Sequence, residues 1–313
     1  MIVDNMDANV LWSLAGLFLL LIIASSISFV LKKANPEKNY TELVQRVNSW
    51  WVMVSVFALA MVLDRTVSLF FFGLISFLAL KEFLSIIPTR RADRRVLFWA
   101  YLSIPFQYYW VSQEWYGMFI IFIPVYIFLL LPMRMVIIGE TRDFLRAAGT
   151  LHWGLMTLVF SISHIAYLLV LPENESFNAG GAGLVLFLVF LTQFNDVSQY
   201  VWGKLFGKHK IIPKVSPNKT WQGFLGGVFT TTLLAVLLSS WLTPLSLELA
   251  VAAGLIISIA GFIGDVTISA LKRDIGVKDS GSLLPGHGGI LDRVDSLTYT
   301  SPLFFHFIYY FYY

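Results

Sequence analysis

Four aspartates lie at predicted membrane boundaries of a chain that otherwise carries few charged residues. They are Asp196, Asp265, Asp292 and Asp295, and each has lysines, arginines or glycines close to it in the sequence. A carboxylate at such a boundary is costly unless it is paired, hydrated or bound to a cation. Carboxylate oxygens suit Mg²⁺, whereas cations and glycines suit phosphate oxygens. The residue types therefore predict a site that holds metal ions and phosphates.

Asp265 lies within an apolar run, and the polar residues after it keep to one side of the predicted helix. Ser269, Lys272 and Arg273 follow it by four, seven and eight positions, which places all four on one stripe. The helical rise puts Asp265 about 10 Å inside the membrane end. Its carboxylate is predicted either to bind a cation or to pair with Lys272 or Arg273, and the spacing alone fits both.

A second cluster surrounds a glycine-rich turn. Lys278 precedes the turn, His287 lies within it, and Asp292, Arg293 and Asp295 follow it at the start of the last apolar run. Glycines allow close approach to a phosphate, and a helix N-terminus presents free N–H groups to anions. Helix capping explains one aspartate but not two together with an arginine. We interpret this cluster as part of the same site.

The third feature is the seventh apolar run and the basic loop behind it. Asp196 lies about two turns inside the end of this run, and the loop holds five lysines between positions 204 and 219. Positive charge is enriched in cytoplasmic loops, which explains most of these lysines. Ser216 and Lys219 differ, because they directly precede the next apolar run, where a hydroxyl and a cation suit a phosphate.

The composition is that of a membrane protein. Of 313 residues, 57% are hydrophobic and 13% charged, against about 25% charged in soluble domains, and the mean hydropathy is +0.73. The chain has no cysteine, which excludes disulfides and thiolate chemistry, and its acidic first residues are unlike a cleavable signal peptide. A length of about 20 residues for each membrane helix gives ten spans: 10–31, 49–63, 67–80, 96–111, 118–133, 151–171, 181–202, 221–242, 247–271 and 296–313.

Lysine and arginine concentrate in every second connection between these spans. We therefore predict an all-α polytopic membrane protein of about ten transmembrane helices, with both termini outside and the site at the cytoplasmic face. The helices of 1–150 and those of 151–313, which carry the site, are expected to form one structural unit. The short second and third spans predict a tight helical hairpin or a pair of tilted interfacial helices. His152, His164 and His306 are expected to serve packing.

An ordered series of these residues resembles the signature of the phosphatidate cytidylyltransferases, or CDP-diacylglycerol synthases. The series reads S-x-x-K-R-x4-K-D-x7-H-G-G-x2-D-R-x-D and runs from Ser269 to Asp295. Residues 216–223, SPNKTWQG, are similar to the S-P-x-K-T-x-E-G segment of that family. The resemblance covers about the last 120 residues, and the first 150 resemble the family only as a set of membrane helices.

The resemblance implies transfer of CMP from CTP to phosphatidic acid, which yields CDP-diacylglycerol and pyrophosphate. It implies Mg²⁺ as the cofactor, with allowance for a second cation, held by Asp265 and Asp292 with Asp196 as a third or outer ligand. The implied catalytic residues are Asp265, Asp292, Lys272, Arg273 and His287, and the implied substrate-binding residues are Ser216, Lys219, Ser269, Lys278, Arg293 and Asp295. The expected partners are CTP, phosphatidic acid and membrane lipids without nucleic acid, with allowance for a homodimer in the cell inner (cytoplasmic) membrane.

Two departures from the family pattern indicate a divergent paralogue. Gln222 replaces the usual glutamate, which is expected to remove a negative charge near the site, and the segment around Asn195 lacks the common D-x-x-A-Y form. Three alternatives stay open: a CTP-dependent polyprenol or lipid kinase, an ion-coupled transporter, and a catalytically inactive homologue. The polar groups gather at one face rather than near the membrane midplane, which favours an enzyme over a transporter.

Overall fold

The computed structural model describes residues 7–35, 37, 39–172, 178–281, 283, 286 and 288–313, and within them the secondary structure is helical. The helices are α1 (Ala8–Ala34), α2 (Thr41–Leu63), α3 (Arg65–Ile86), α4 (Arg94–Ser112), α5 (Tyr116–Ile138), α6 (Phe144–Leu168), α7 (Gly180–Phe206), α8 (Trp221–Leu242), α9 (Leu247–Asp274), α10 (Leu291–Val294) and α11 (Leu297–Tyr312). A 3₁₀ turn, Arg91–Asp93, precedes α4, and π-helical turns interrupt α5 at Phe122–Ile127 and α6 at Met156–Phe160.

Ten of these helices follow the ten predicted spans in order along the chain. Eight of the described helices, α1–α3 and α5–α9, are long and apolar enough to cross a membrane. Helix α4 is less apolar because it carries Arg94, Arg95 and Gln107, and α11 has only 16 residues. The all-α membrane architecture is therefore confirmed, whereas the count of ten spans and the outside position of both termini stay predictions.

The second and third spans form the tight hairpin that was one of the two expectations. Asp64 links them by accepting a hydrogen bond from the Thr66 N–H at 2.8 Å, which caps α3. The Ser68 hydroxyl donates to the carbonyl of Ala60 at 2.7 Å and closes the turn. Both helices are longer than predicted, with 23 and 22 residues, so α3 continues beyond position 80 to Ile86. This extension brings Glu82 into the structure of the site.

Helices α7, α8 and α9 pack closely because small residues line their contacts. A Cβ at Gly227 of α8 would lie 2.4 Å from the Gln199 side chain of α7. The buried amide of Asn195 joins all three helices, since it donates to the carbonyl of Ser258 at 3.1 Å and accepts from the Thr231 hydroxyl at 3.2 Å. These contacts fix the neighbouring Asp196 opposite α9.

His164, one of the two histidines of α6, serves packing. His164 is fully buried between the rings of Phe119, Phe160 and Phe305, whose centroids lie 4.7–5.2 Å from its own. This aromatic cluster joins α5, α6 and α11. It lies apart from the polar residues of the signature, whose positions are set by α3, α7, α9 and α10.

Candidate active site

A polar cavity of about 750 Å³ opens where α2, α7, α9 and the signature segment meet. Its lining consists of Glu42, Arg46, Trp50, Gln193, Asp196, Val197, Tyr200, Asp265, Lys278, Asp279, Gly281, Gly286, Gly288, Asp292, Arg293 and Asp295. Six of the predicted site residues therefore face one space: Asp196, Asp265, Lys278, Asp292, Arg293 and Asp295. Residues that lie up to 99 positions apart in the sequence thus converge on one cavity.

Asp265 is paired with a cation, but this cation does not come from its own helix. Lys219 reaches it from the loop before α8, with 2.5 Å between Nζ and Oδ2, and both side chains are about four-fifths buried. Gln199 also accepts from Lys219 at 3.1 Å, and the Ser269 hydroxyl donates to Asp265 at 3.3 Å. The expectation of a pair with Lys272 or Arg273 is wrong, because both of those cations point to other partners.

The loop before α8 holds Lys219 in place through backbone hydrogen bonds. An isolated antiparallel bridge joins Lys210 to Thr220, and the Ile211 N–H donates to the Lys219 carbonyl at 3.2 Å. The Thr220 hydroxyl accepts from the Gly223 N–H at 3.1 Å and caps α8. This hydroxyl is therefore committed to the helix, and Lys219 is the group of this segment that reaches the carboxylates.

Asp196 and Asp295 complete a group of carboxylates around Asp265. A Cβ at Gly264 would lie 2.5 Å from the Asp295 carbonyl, so only glycine lets α9 approach this closely. Asp196 accepts from the Ser296 hydroxyl at 2.9 Å, while its other oxygen, Oδ1, is buried and has no hydrogen-bond partner among the described residues. Burial and the nearby carboxylates of Asp265 and Asp196 raise the pKa of Asp295 well above its usual value. The raised pKa reflects burial and repulsion among the three carboxylates, and a bound cation would relieve this repulsion.

Both oxygens of Asp292 are occupied by protein donors. Lys272 donates to Oδ1 at 2.6 Å, and Oδ2 accepts from the N–H and hydroxyl of Ser280 and from the Gly289 N–H at 2.9–3.1 Å. Burial acts to raise the pKa of Asp292, but Lys272 and the two N–H groups outweigh it and lower that pKa below its usual value. These contacts give Asp292 a role in closing the signature loop, which is the loop between the end of α9 and the start of α10, onto α9.

Glu82 of α3 contacts the site, and this role was not predicted from the sequence. Its carboxylate lies 3.1 Å from the Ser280 hydroxyl, whose single proton it shares with Asp292, and it accepts from the Leu291 N–H at 2.9 Å. The signal in the sequence was an acidic residue at the end of an apolar run, which is costly there without a partner. Glu42, Arg46, Trp50, Gln193, Tyr200 and Asp279 also line the cavity without having been predicted.

The packing of the loop requires the glycines of the signature, independently of the predicted approach of phosphate. Gly288 has a φ of +81°, and a Cβ there would lie 2.7 Å from the Asp292 carboxylate. A Cβ at Gly289 would lie within van der Waals overlap of Glu82 and 2.3 Å from the Ser280 hydroxyl oxygen. Any larger residue would therefore push the loop away from the two carboxylates that hold it.

Several predicted residues lie beside the cavity rather than on it. Lys219 and Ser269 contact Asp265, and Lys272 contacts Asp292. Arg273 is exposed and donates to the carbonyl of Val215 at 3.3 Å, and this contact joins α9 to the basic loop. Ser216 directly follows Val215 in that loop. His287 lies outside the described residues.

The departure at Gln222 has a different consequence from the one expected. Its amide oxygen accepts from the N–H groups of Lys208 and His209 at 3.0 and 3.2 Å, and it is not part of the cavity lining. An amide and a carboxylate both supply this acceptor. Gln222 thus holds the basic loop, and the lost negative charge is not at the carboxylate group.

The donor set fits a magnesium ion that shares its coordination with a substrate. No three Asp, Glu or His side chains of the described residues form a ready metal-binding group. Mg²⁺ in nucleotide sites usually takes one or two carboxylates and completes its shell with substrate phosphates and water. The unpartnered Oδ1 of Asp196, beside Asp265 and Asp295, is the acceptor that matches this requirement.

Arg293 lies where the polar cavity meets an apolar one. The apolar cavity, about 320 Å³, is lined by aromatic and aliphatic side chains of α2, α3, α6 and α7 and shares Trp50, Gln193 and Arg293 with the polar cavity. The Gln193 amide fixes Arg293 by donating to its carbonyl at 3.2 Å, while the buried Nε of Arg293 has no partner among the described residues. A donor without a partner at this junction is suited to an anion that carries an apolar chain.

Comparison with known proteins identifies the family of the chain. Residues 44–311 match the model of the cytidylyltransferase family. The chain belongs to the cytidylyltransferase family. This cytidylyltransferase-family protein is also 46% identical over 298 residues to the uncharacterized protein YnbB of Escherichia coli K12, an alignment that covers 95% of this chain and 98% of YnbB.

Two staphylococcal phosphatidate cytidylyltransferases are similar to part of the chain. The protein of Staphylococcus saprophyticus is 39% identical over 153 residues, which is 47% of this chain and 58% of that protein. The protein of Staphylococcus aureus strain COL is 42% identical over 125 residues, which is 39% of this chain and 48% of that protein. The chain thus aligns with about half the length of these enzymes.

Proposed function

We propose that this protein transfers CMP from CTP to phosphatidic acid and releases pyrophosphate. Membership of the cytidylyltransferase family and the likeness to phosphatidate cytidylyltransferases support a CTP-using lipid transferase. The observation that carries the finer proposal is the junction at Arg293. A polar cavity with carboxylates and cations meets an apolar cavity there. Phosphatidic acid has the same two parts, a phosphate and acyl chains.

The phosphate of the lipid is the nucleophile. The second pKa of a phosphate monoester is about 6, so its oxygen is anionic at neutral pH and needs no strong base. This oxygen forms a bond to the α-phosphorus of CTP, while the bond from that phosphorus to the oxygen bridging to the β-phosphate breaks and pyrophosphate leaves. The protein has to bring two polyanions together and to stabilise the charge on the phosphoryl oxygens.

We propose a role in that task for each of three cations around the cavity. The partnerless Nε of Arg293 is proposed to bind the lipid phosphate, with the acyl chain in the apolar cavity. Lys278, which is exposed and lines the polar cavity, is proposed to bind the triphosphate. Lys219 already neutralises Asp265 and remains close enough to help hold a phosphate beside it.

Asp196 and Asp265 are proposed to hold Mg²⁺, with Asp295 beside them. When bound, the ion would neutralise charge on the phosphates of the nucleotide and lower the repulsion between the substrates. Each oxygen of Asp292 already accepts from a protein donor, and we propose that this residue positions Lys272 and the signature loop.

The test is the conversion of phosphatidic acid to CDP-diacylglycerol by purified protein in liposomes, with CTP and with or without magnesium. The wild type, Asp265→Asn and Asp274→Asn are compared, because Asp274 lies on the same helix but is exposed and outside the cavity. Magnesium-dependent product that is lost in Asp265→Asn and retained in Asp274→Asn supports the proposal.

Other outcomes identify the alternatives. A phosphorylated lipid together with CDP would indicate a CTP-dependent kinase. Binding of CTP without either product would indicate a different lipid phosphate as acceptor. The absence of CTP binding in a folded protein would overturn the proposed activity and favour the transporter or an inactive homologue.

A further inference from the structure

A second cationic cavity lies at the start of α4, apart from the polar cavity of the candidate active site. Its volume is about 500 Å³, and no residue lines both cavities. We call it the arginine cavity, and its lining is Arg91, Arg94, Arg95, Arg134, Ile137 and Ile138 with Ala92 and Val96. Three of the arginines come from the segment 91–95 and the fourth comes from α5, so two separate parts of the chain build it.

The four arginines lack carboxylate partners within the described part of the chain. The nearest acidic residue in the sequence, Asp93, is already occupied by Arg90, which donates to both of its oxygens at 2.6 and 2.8 Å. Arg90 also donates to the carbonyls of Glu140 and Arg142, and these contacts tie the start of α4 to the loop after α5. The cavity therefore keeps the positive charge of its four arginines.

Positive charge in cytoplasmic loops explains the presence of arginines, but it does not explain their convergence. Arg134 lies on the last turns of α5 and is held by the Trp99 ring of α4, with its guanidinium carbon 5.4 Å from the ring centroid. This contact directs a cation of α5 toward the cations at the N-terminus of α4, where the helix dipole adds positive potential. Guanidinium groups bind phosphate with paired hydrogen bonds.

Apolar side chains of the arginine cavity indicate which class of phosphate it binds. Ile137 and Ile138 line the same cavity as the arginines and are 64% and 38% exposed. Val136, which precedes Ile137 on α5, and Phe98 of α4 are also more than 60% exposed. A soluble phosphate would leave these apolar side chains uncovered, whereas the acyl chains of a phospholipid cover them.

We propose that the arginine cavity binds the headgroup of an anionic membrane phospholipid, whose acyl chains lie along the exposed face of α5. The cavity lies on the same side of the structure as Glu82 and the signature loop, since α3 ends and α4 begins there. This lipid is a bound ligand of the protein and not its substrate. The inference does not rest on the proposed function, because the two cavities share no residue.

A single fluorescent label tests this proposal at the site itself. The chain has no cysteine, so Ile137→Cys can carry one bimane label, and brominated lipids quench it when they bind beside it. Purified protein in detergent is titrated with brominated phosphatidylglycerol or brominated phosphatidylcholine. We expect quenching at much lower amounts of the anionic lipid, and we expect excess inorganic phosphate to leave the quenching unchanged.

Two matched variants in the labelled protein separate a site from diffuse attraction. Arg95→Gln/Arg134→Gln and Lys32→Gln/Lys33→Gln each remove two positive charges, and the two lysines are exposed at the end of α1. The arginine variant is expected to lose affinity for phosphatidylglycerol by about fivefold for each arginine, whereas the lysine variant keeps the wild-type affinity.

Three results would overturn the proposal. Equal losses in the two variants would mean diffuse surface attraction. Equal quenching by both lipids would mean that the headgroup is not recognised. Reversal of the quenching by inorganic phosphate would mean a site for a soluble anion.

Discussion

Glu82 and Ser280 are joined by a hydrogen bond of 3.1 Å, although 198 positions separate them in the sequence. The same carboxylate accepts from the Leu291 N–H, so one residue of α3 holds both ends of the signature loop. The N-terminal helices thus take part in the site through a direct polar contact.

Replacement of Glu82 is expected to loosen this loop. Glu82→Ala removes the acceptor of two hydrogen bonds to a charged group and should lower the free energy of unfolding by about 2–3 kcal/mol. Glu82→Gln keeps one amide oxygen and should recover part of that loss. The measurement is thermal unfolding in detergent together with amide hydrogen exchange at Ser280 and Leu291, where the alanine variant should exchange faster.

Glu248→Ala is the control for Glu82, because Glu248 is an exposed glutamate in the first turn of α9. It should match the wild type in both measurements. Unchanged exchange in Glu82→Ala would show that the loop is held without this contact.

The ion pair between Lys219 and Asp265 should give a non-additive result. Either single variant, Lys219→Met or Asp265→Asn, leaves a mostly buried charge or donor without its partner and should cost about 3 kcal/mol of stability. The double variant removes both charges and should be more stable than the sum of the two losses predicts. Transferase activity should be lost in all three, so stability and activity should separate in the double variant. Additive losses in stability would contradict the pair.

The lowered pKa of Asp292 predicts how stability depends on pH. Its carboxylate is stabilised in the folded protein, so that contribution is fully present above the ordinary pKa of 3.8. It is lost as the pH falls through the lower pKa of the folded state, because the protonated group no longer pairs with Lys272. Asp292→Asn should therefore be less stable than the wild type at pH 7, and the difference should shrink as the pH falls below 3.8. A difference that stays constant with pH in thermal unfolding would contradict this assignment.

The sequence predicted which carboxylates gather around the cavity better than it predicted their partners. Asp196, Asp265 and Asp295 were recognised because acidic residues are costly at a membrane boundary. The partner of Asp265 could not be deduced, because a residue seven positions along a helix lies about 10 Å away, whereas Lys219 reaches it from another loop. The same limit applies to Glu82, whose role depends on how α3 packs against a loop from the other half of the chain.

The helix pattern was predictable for a different reason. Membrane spans are defined by length and hydropathy, which are local properties, and so the order of the spans followed from the sequence, whereas the hairpin around Asp64 was one of two expectations. The extension of α3 to Ile86 did not, because its last turns are polar enough to resemble a loop. The convergence of Arg95 and Arg134 likewise depends on packing between helices.

Gln222 should tolerate the glutamate that is usual in the family. Both side chains offer an oxygen to the N–H groups of Lys208 and His209, and a carboxylate makes the stronger acceptor. Gln222→Glu should change stability by less than about 1 kcal/mol, since the contact is exposed, and should leave the transferase activity near the wild-type value. Gln222→Ala, which removes the acceptor, should destabilise the protein in the same thermal assay. A large gain of activity in Gln222→Glu would instead place this residue at the reaction.

The apolar cavity should set which acyl chains are accepted. Val189 of α7 lines this cavity, and Val189→Phe would fill part of its volume of about 320 Å³. We expect a higher KM for phosphatidic acid with long acyl chains, an unchanged KM for a short-chain analogue, and an unchanged KM for CTP, because the phosphate would still reach Arg293. Val251→Phe adds the same ring on α9 at a position 37% exposed and outside the cavity, and should leave all three values unchanged. Equal effects of Val189→Phe on long and short chains would mean that the lipid lies elsewhere, whereas a change in the KM for CTP alone would mean that the nucleotide occupies this space.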